Sequence, residues 1–230
     1  MKKKIFLTMG ILLFAFILQT CSQKPEKSLL KRYFHALSLN DLTTLSTMAL
    51  EPAELNAKSW QIINVSEERI EPAVLPDLNK KELELKKKVE NSVGITLDAR
   101  DELDNAKFEL ENARTRAAKR AAQKKVDELQ AKYDEIYENH KQLQKEYNEA
   151  KAAAAREEEI TLFSLGAGEL PNARDFKGNI NAKEVDVEIV EPSGAEKKYR
   201  FYLRKYDLQD EAANIHRRGR WIIVNIELIS

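Results

Sequence analysis

The sequence predicts an α+β protein: a small module of helices and antiparallel strands, interrupted by a long helical hairpin, behind an N-terminal membrane-targeting helix. Three observations carry this. Residues 77–165 contain no proline and a single glycine, Gly94, and within 79–158 there are 18 basic and 18 acidic side chains. That composition suits long exposed helices and not a compact globule. In the C-terminal section the spacing of apolar residues changes to alternation, with Val185, Val187 and Ile189 separated by acids, the mark of a half-buried strand. The chain also opens with three lysines, followed by an apolar run over residues 5–18. These features divide the sequence into residues 1–21, a first part of the module over 26–76, a coiled-coil insertion over 77–158, and a second part over 159–230.

The N-terminal run is the length of a secretory signal and short for a bilayer span of ~20 residues. Its lysines orient it, so the chain beyond Cys21 is exported. Cys21 is the one cysteine, which excludes intramolecular disulfides. Lying between the apolar run and Ser22-Gln23-Lys24, it resembles the lipobox cysteine of bacterial lipoproteins, with Leu18 at the matching third position before it and Gln19 and Thr20 departing from the pattern. Two fates follow: lipidation at Cys21, or an uncleaved anchor, since residues 5–21 span ~25 Å as a helix. Both leave the protein tethered to a membrane in the bacterial cell envelope, with its bulk on the exported side.

Leu29, Leu30, Tyr33, Phe34 and Leu37 fall on one face of a helix. Asn40-Asp41 supplies capping chemistry for a short second helix bearing Leu42, Leu45 and Met48. Residues 60–65, Trp-Gln-Ile-Ile-Asn-Val, read as a strand, and Pro72 and Pro76 close the section.

The insertion opens with a capping box, Asn79 with Glu82, and a staple from Leu78 to Leu83. Small or apolar residues then recur at 85, 89, 92, 96, 99, 103, 106, 110, 113 and 117. A second heptad series runs through Val126, Leu129, Tyr133, Ile136, His140, Leu143, Tyr147 and Ala150. A helix this polar needs a helical partner. The series slip out of phase between 117 and 126, near the midpoint of the insertion, which predicts a hairpin with its apex at 115–123. The competing arrangement breaks at Asn91-Ser-Val-Gly94 and pairs one long helix with a second chain.

Beyond the insertion, Pro192-Ser193-Gly194 makes a turn; Tyr199, Phe201 and Leu203 alternate with polar residues; a polar loop follows; and Ile222, Val224, Ile226 and Leu228 fall on one face of a last strand. This predicts a three-stranded antiparallel meander. Tyr33-Phe34-His35-Ala36-Leu37 followed by Asn40-Asp41, with a final strand opening Gly219-Arg220-Trp221, resembles the nuclear-transport-factor-two-like superfamily, in particular its small exported, lipoprotein-like members of unknown function. The resemblance covers roughly 26–70 and 183–229. It implies a cone in which a curved sheet wraps helices, with or without a pocket. Enzymes of that superfamily keep acid–base residues inside the cone; no residue here matches such a set, and the long insertion departs from the family pattern.

Lys+Arg and Asp+Glu cancel at 38 each, so no global field recruits nucleic acid. His35, His140 and His216 are isolated, without the second ligand that a metal needs. No strained-turn nucleophile and no phosphate-cradling glycine loop is present. The sequence therefore predicts no catalytic residue, no metal and no cofactor. One patch stands out: no acid lies between Glu111 and Asp127, while Arg114, Arg116, Lys119, Arg120, Lys124 and Lys125 gather at the hairpin tip. Two readings are open, a solvated helix face and a contact with an anionic surface, whether lipid headgroups, cell-wall polymer or an acidic partner. The expected role is a structural or interaction module acting through the coil, as a homodimer or with an envelope partner. The alternative is a small-molecule-binding or weakly catalytic cone, with the coil as spacer.

Overall fold

The computed structural model of the chain describes residues 24–211 and 213–230. The expected targeting helix over residues 1–21, with Cys21, lies outside the described residues. Among the described residues no helix is long and apolar enough to cross a membrane. The protein is α+β, with a long helix pair and a curled antiparallel sheet. It divides into two compact units.

The first unit comprises the chain up to Glu68, Ala182–Arg204 and Trp221–Ser230. Helix α1, Pro25–Ser38, starts with proline in its first turn, where no hydrogen bond is lost. Its Leu29, Leu30, Tyr33 and Phe34 are all buried. Asn40 closes the helix with a positive φ of 53°. Asp41 then caps the single-turn helix α2, Leu42–Leu45, its Oδ1 accepting from the Thr44 amide at 3.0 Å. Leu45 and Met48 turn inward, whereas Leu42 stays exposed.

Strand β1, Ser59–Val65, pairs antiparallel with the end of β3, Lys177–Val190, and Ile63 bulges out between Ile62 and Asn64. Strand β4, Glu196–Asp210, pairs with β6, Ile222–Leu228. Here alternation alone misleads. Tyr202 faces Asn225 and Leu203 faces Ile223, so Val224 is an extra residue and the inward face changes at that point. Ile222 and Ile223 are both buried, while Leu228 is exposed. The core joins α1 to the sheet through Tyr33, Phe34, Val187, Phe201 and Leu203. Phe34 stacks on Trp60 with centroids 4.6 Å apart, and Tyr33 meets Phe201 edge-on at 5.8 Å.

The second unit comprises Arg69–Asn181 and Lys205–Arg220; β3 and β4 each contribute residues to both units. Strand β2, Arg69–Pro72, pairs with β3, and β5, Ile215–Arg218, pairs with β4 inside what the sequence reads as a polar loop. Helix α3, Leu75–Asn112, begins a turn before the expected capping box, with Pro76 in its first turn. Pro76 opens a helix here instead of closing a section, and Leu83 is exposed, not stapled. Helix α4, Arg116–Leu165, ends in a left-handed Gly166 with φ 64°, the usual glycine stop. The helices run ~57 and ~75 Å by helical rise. The turn between them is 113–115, at the leading edge of the expected apex, because Thr115 is the N-cap of α4 and accepts from the Ala118 amide at 3.1 Å. Gly94 lies within α3, so the chain makes the hairpin and not the single long helix.

The seam between α3 and α4 follows the two heptad series. Positions 85, 92, 99, 103 and 106 are buried, as are Val126 and Ala150, and the remaining seam positions from 89 to 147 are half-buried. Residue 117 is exposed, because α4 regains contact with α3 only from Ala122–Val126 onward. At the hairpin base, Arg174 bridges Glu82 at 2.7 Å and Glu158 at 2.8 Å. Tyr206 donates its hydroxyl to Glu157 at 2.6 Å, and Ser164 Oγ donates to the Arg220 carbonyl at 2.8 Å. Gly219 is required there: a Cβ would lie 2.3 Å from Ser164 Oγ and 2.9 Å from the Tyr206 carbonyl oxygen.

Candidate functional site: the hairpin tip

The turn itself carries Arg114, exposed, and Arg116 opens α4 immediately after the Thr115 cap. Lys119 and Arg120 follow one turn later, and Lys124 and Lys125 one turn beyond that, all exposed. The structure therefore gathers the six cations over the last turns of the hairpin but does not leave them equivalent. Lys125 reaches across to Glu109 on α3 at 2.7 Å, and Lys124 pairs with Glu128 along α4 at 3.7 Å. Sequence order hides the first of these, since Glu109 returns to the tip only once the chain has folded back. Among the described residues, Arg114, Arg116, Lys119 and Arg120 form no ion pair. The unneutralised set is four charges, at the very end of the arm.

Beside them is an apolar feature that charge reading alone passes over. Phe108 is 66% exposed on the last turns of α3. It borders an open groove floored by Ala113, Ala118, Ala121 and Ala122 and edged by Asn112 and Lys125. The signal was present in the sequence: Phe108 sits off the seam positions 103, 106 and 110, where a coil ordinarily places polar residues. The tip thus offers an aromatic ring and a shelf of methyl groups, edged by the Glu109–Lys125 ion pair, on the same few turns as the four unpaired cations. It suits a partner that is both anionic and partly apolar.

The three histidines are dispersed. His35 is exposed on α1. His140 lies in the seam, where Ser92 Oγ donates to the Val89 carbonyl at 2.8 Å and so accepts from His140 Nδ1 at 2.8 Å. His216 Nε2 meets the Asp207 carboxylate. Among the described residues no group of three or more His, Cys, Asp or Glu could hold a metal ion.

In the first unit, the titratable groups nearest the core are engaged with each other. Arg200 binds Asp186 through Nε at 2.7 Å and Nη2 at 3.2 Å, and Asn64 adds a third contact at 3.3 Å. The Arg200 hydrogen bonds, followed by the Asn64 amide, hold the Asp186 carboxyl below the usual carboxylate range against the opposing effect of burial. Burial pushes the Tyr33 phenol up; its hydroxyl accepts from the Ala53 amide at 3.1 Å and donates to the Ala53 carbonyl at 3.4 Å. Lys183 pairs with Glu68 at 3.2 Å and with buried Glu26 at 3.4 Å, and lies over the Trp221 ring.

No family model matches the chain, and no curated protein or solved structure matches it either.

Proposed function

We propose that the chain is an exported, membrane-tethered envelope protein whose helical hairpin is an interaction module, its tip contacting an anionic lipid surface. The observation that carries this is the pairing of four unneutralised cations with exposed Phe108 at the end of the arm. The apolar component selects lipid over a sugar-phosphate polymer, which offers nothing for a phenyl ring to bury against. Near an anionic membrane each basic side chain contributes about 1 kcal/mol, and burying a Phe ring adds roughly 1.5–3 kcal/mol. Together these suffice for a reversible, salt-sensitive contact. The lysine-led apolar start with Cys21 supplies the tether.

The small-molecule reading of the cone is weaker, because Tyr33, Phe34 and Phe201 pack ring against ring in the core of the first unit. The test reconstitutes the full chain in zwitterionic vesicles and adds a second population of vesicles containing anionic lipid. Docking between the two populations, read by light scattering, is expected at low salt and is lost above ~0.5 M, where the Debye length falls below about 5 Å. Reversing Arg114, Arg116, Lys119 and Arg120 to Glu abolishes it. Docking that survives this reversal removes the tip from the proposal.

A further inference from the structure

One position past each seam residue of α3, about 100° round the helix, runs a second stripe that no described residue covers. At its middle are Val93 and Leu97, 43% and 52% exposed, and Leu83 lies at its N-terminal end, 49% exposed. Lys86, Glu90, Arg100 and Asp104 share the stripe, all exposed. We propose that this face joins two copies of the chain in an antiparallel, two-fold-symmetric pair. The proposal rests on the reading of the hairpin as the interaction module and names one of its partners as a second copy.

The argument is self-complementarity, which an isologous interface requires. An antiparallel α3–α3 contact centred at residue 95 sets Val93 against Leu97 of the second copy. It sets Glu90 against Arg100 of that copy, and Lys86 against its Asp104. Leu83 then meets the stem of its Lys107, beside Phe108, with the aliphatic chain covering apolar surface. The layers from 86 to 104 are each apolar on apolar or opposite charges. Sliding the register by one heptad in either direction sets Val93 against Glu90 or against Asp104, burying a carboxylate on an apolar neighbour. One register is favoured.

Helix α4 gives an independent check. In a hairpin, the position after each seam residue falls on the same side for both helices, so the matching stripe of α4 includes Asp127, Tyr137, Lys141 and Lys151. Tyr137 is 42% exposed and borders an open hollow with His140, Lys141 and Gln144. On its own pattern this stripe is self-complementary about residue 139, with Tyr137 meeting Lys141 of the second copy and Asp127 meeting its Lys151. Within the hairpin, the Glu102–Lys132 and Glu109–Lys125 ion pairs, at 2.8 and 2.7 Å, place residue 95 level with residue 139. The two centres, found separately, therefore fall on one axis. Two seams about 100° apart on each helix are the geometry of a four-helix bundle.

The test measures the mass of the full chain in density-matched detergent by sedimentation equilibrium across a concentration series. The wild-type chain is expected to dimerise. Glu90→Arg and Arg100→Glu each set like charges in two symmetric layers and weaken the dimer about tenfold or more; the double variant restores it to within a few-fold. Rescue cannot arise inside one chain. Residues 90 and 100 are ~15 Å apart along the helix, and the double variant keeps both new like-charge neighbours, a cation at position 90 beside Lys86 and a carboxylate at position 100 beside Asp104. Circular dichroism checks that each single variant keeps its helix. A wild-type chain that stays monomeric across the series, single variants that dimerise normally, or a double variant weaker than either single would each overturn the proposal. Reversing the tip cations leaves the dimer intact, so loss of vesicle docking and loss of dimerisation separate the two readings.

Discussion

In the first unit the interior is built from large rings and branched side chains: Tyr33, Phe201, Leu30, Val187 and Leu203 are wholly buried, with Phe34 and Trp60 stacked alongside. Along the hairpin shaft the fully buried positions are mostly small, Ser92, Ala99, Ala106, Ala150 and Ala154, with Leu85, Leu103 and Val126 larger, and longer side chains such as Leu129, Tyr133 and Ile136 lie half-buried beside them. Small seam residues let two helices approach closely but bury little area per turn. The shaft makes up the rest through length and through charge pairs such as Glu102–Lys132 and Glu109–Lys125. Such exposed pairs contribute ~0.2–1 kcal/mol each. Stability in the first unit is thus concentrated in a few side chains, whereas in the shaft it is spread over dozens. A concentrated core is sensitive to single changes. A distributed seam tolerates them and leaves its outer faces free to carry contacts.

That contrast can be broken most directly at Phe201. Replacing it with Ala removes a ring in contact with Tyr33 and Phe34, and a core Phe→Ala change costs ~3–5 kcal/mol. Both tryptophans, Trp60 and Trp221, belong to the first unit, so their fluorescence reports on that unit, while far-UV circular dichroism reports mainly on α3 and α4. In a denaturant titration, Phe201→Ala is expected to move the fluorescence transition far more than the helical one. Coincident shifts of equal size would show one cooperative unit and remove the contrast.

The shaft's counterpart is Leu103, 2% exposed and packed with Ala106 and Val126. Leu103→Ala is expected to cost about 2–3 kcal/mol, the lower part of the range for a core leucine, because the site is bounded by solvent on both flanks and can collapse. Its effect should appear in the helical transition and in faster amide exchange from Ala99 to Leu110, with tryptophan fluorescence nearly unmoved. A loss as large as that of Phe201→Ala would show that the seam, too, is concentrated in a few residues.

The same contrast explains what could be read before the structure was known. Apart from residue 117, the seam is legible position by position, because a heptad is a local pattern and each seam residue needs only its own helix to be recognised. The alternation at Val185, Val187 and Ile189 was legible for the same reason. The turn was placed slightly too late: the heptad slip between 117 and 126 marks where α4 regains contact with α3, while the turn is set by the cap at Thr115. Pro76 in the sequence reads as a stop, although proline is equally at home in a first helical turn. The inward side of β6 was half-read, since the Val224 bulge depends on what β4 presents opposite. Contacts between distant residues left no local trace. Arg174 binds Glu82 across 92 positions, and nothing near Glu82 announces that it is buried. At the tip, the six cations were read as one set; folding returned Glu109 to Lys125 and brought Phe108 beside the rest.

The smallest expected effect sharpens the contrast from the polar side of the first unit. Arg200 holds the Asp186 carboxyl below its usual range, with help from Asn64. The folded state therefore takes up this proton less readily than the unfolded chain, whose Asp titrates near ~3.9. The resulting stability is fully present above that value and is lost as the pH falls below it, through the depressed folded-state value. Solvent reaches the pair and screens it, so its contribution is small. Asp186→Asn should lower the fluorescence-detected thermal midpoint slightly at neutral pH, and the gap from wild type should close as the pH drops below about 4. A gap that stays constant from pH 7 to pH 2.5 would mean that Asp186 acts through packing or neutral hydrogen bonds. Its charge would then be incidental, and the first unit's reliance on its apolar core would be more complete than the ion pair suggests.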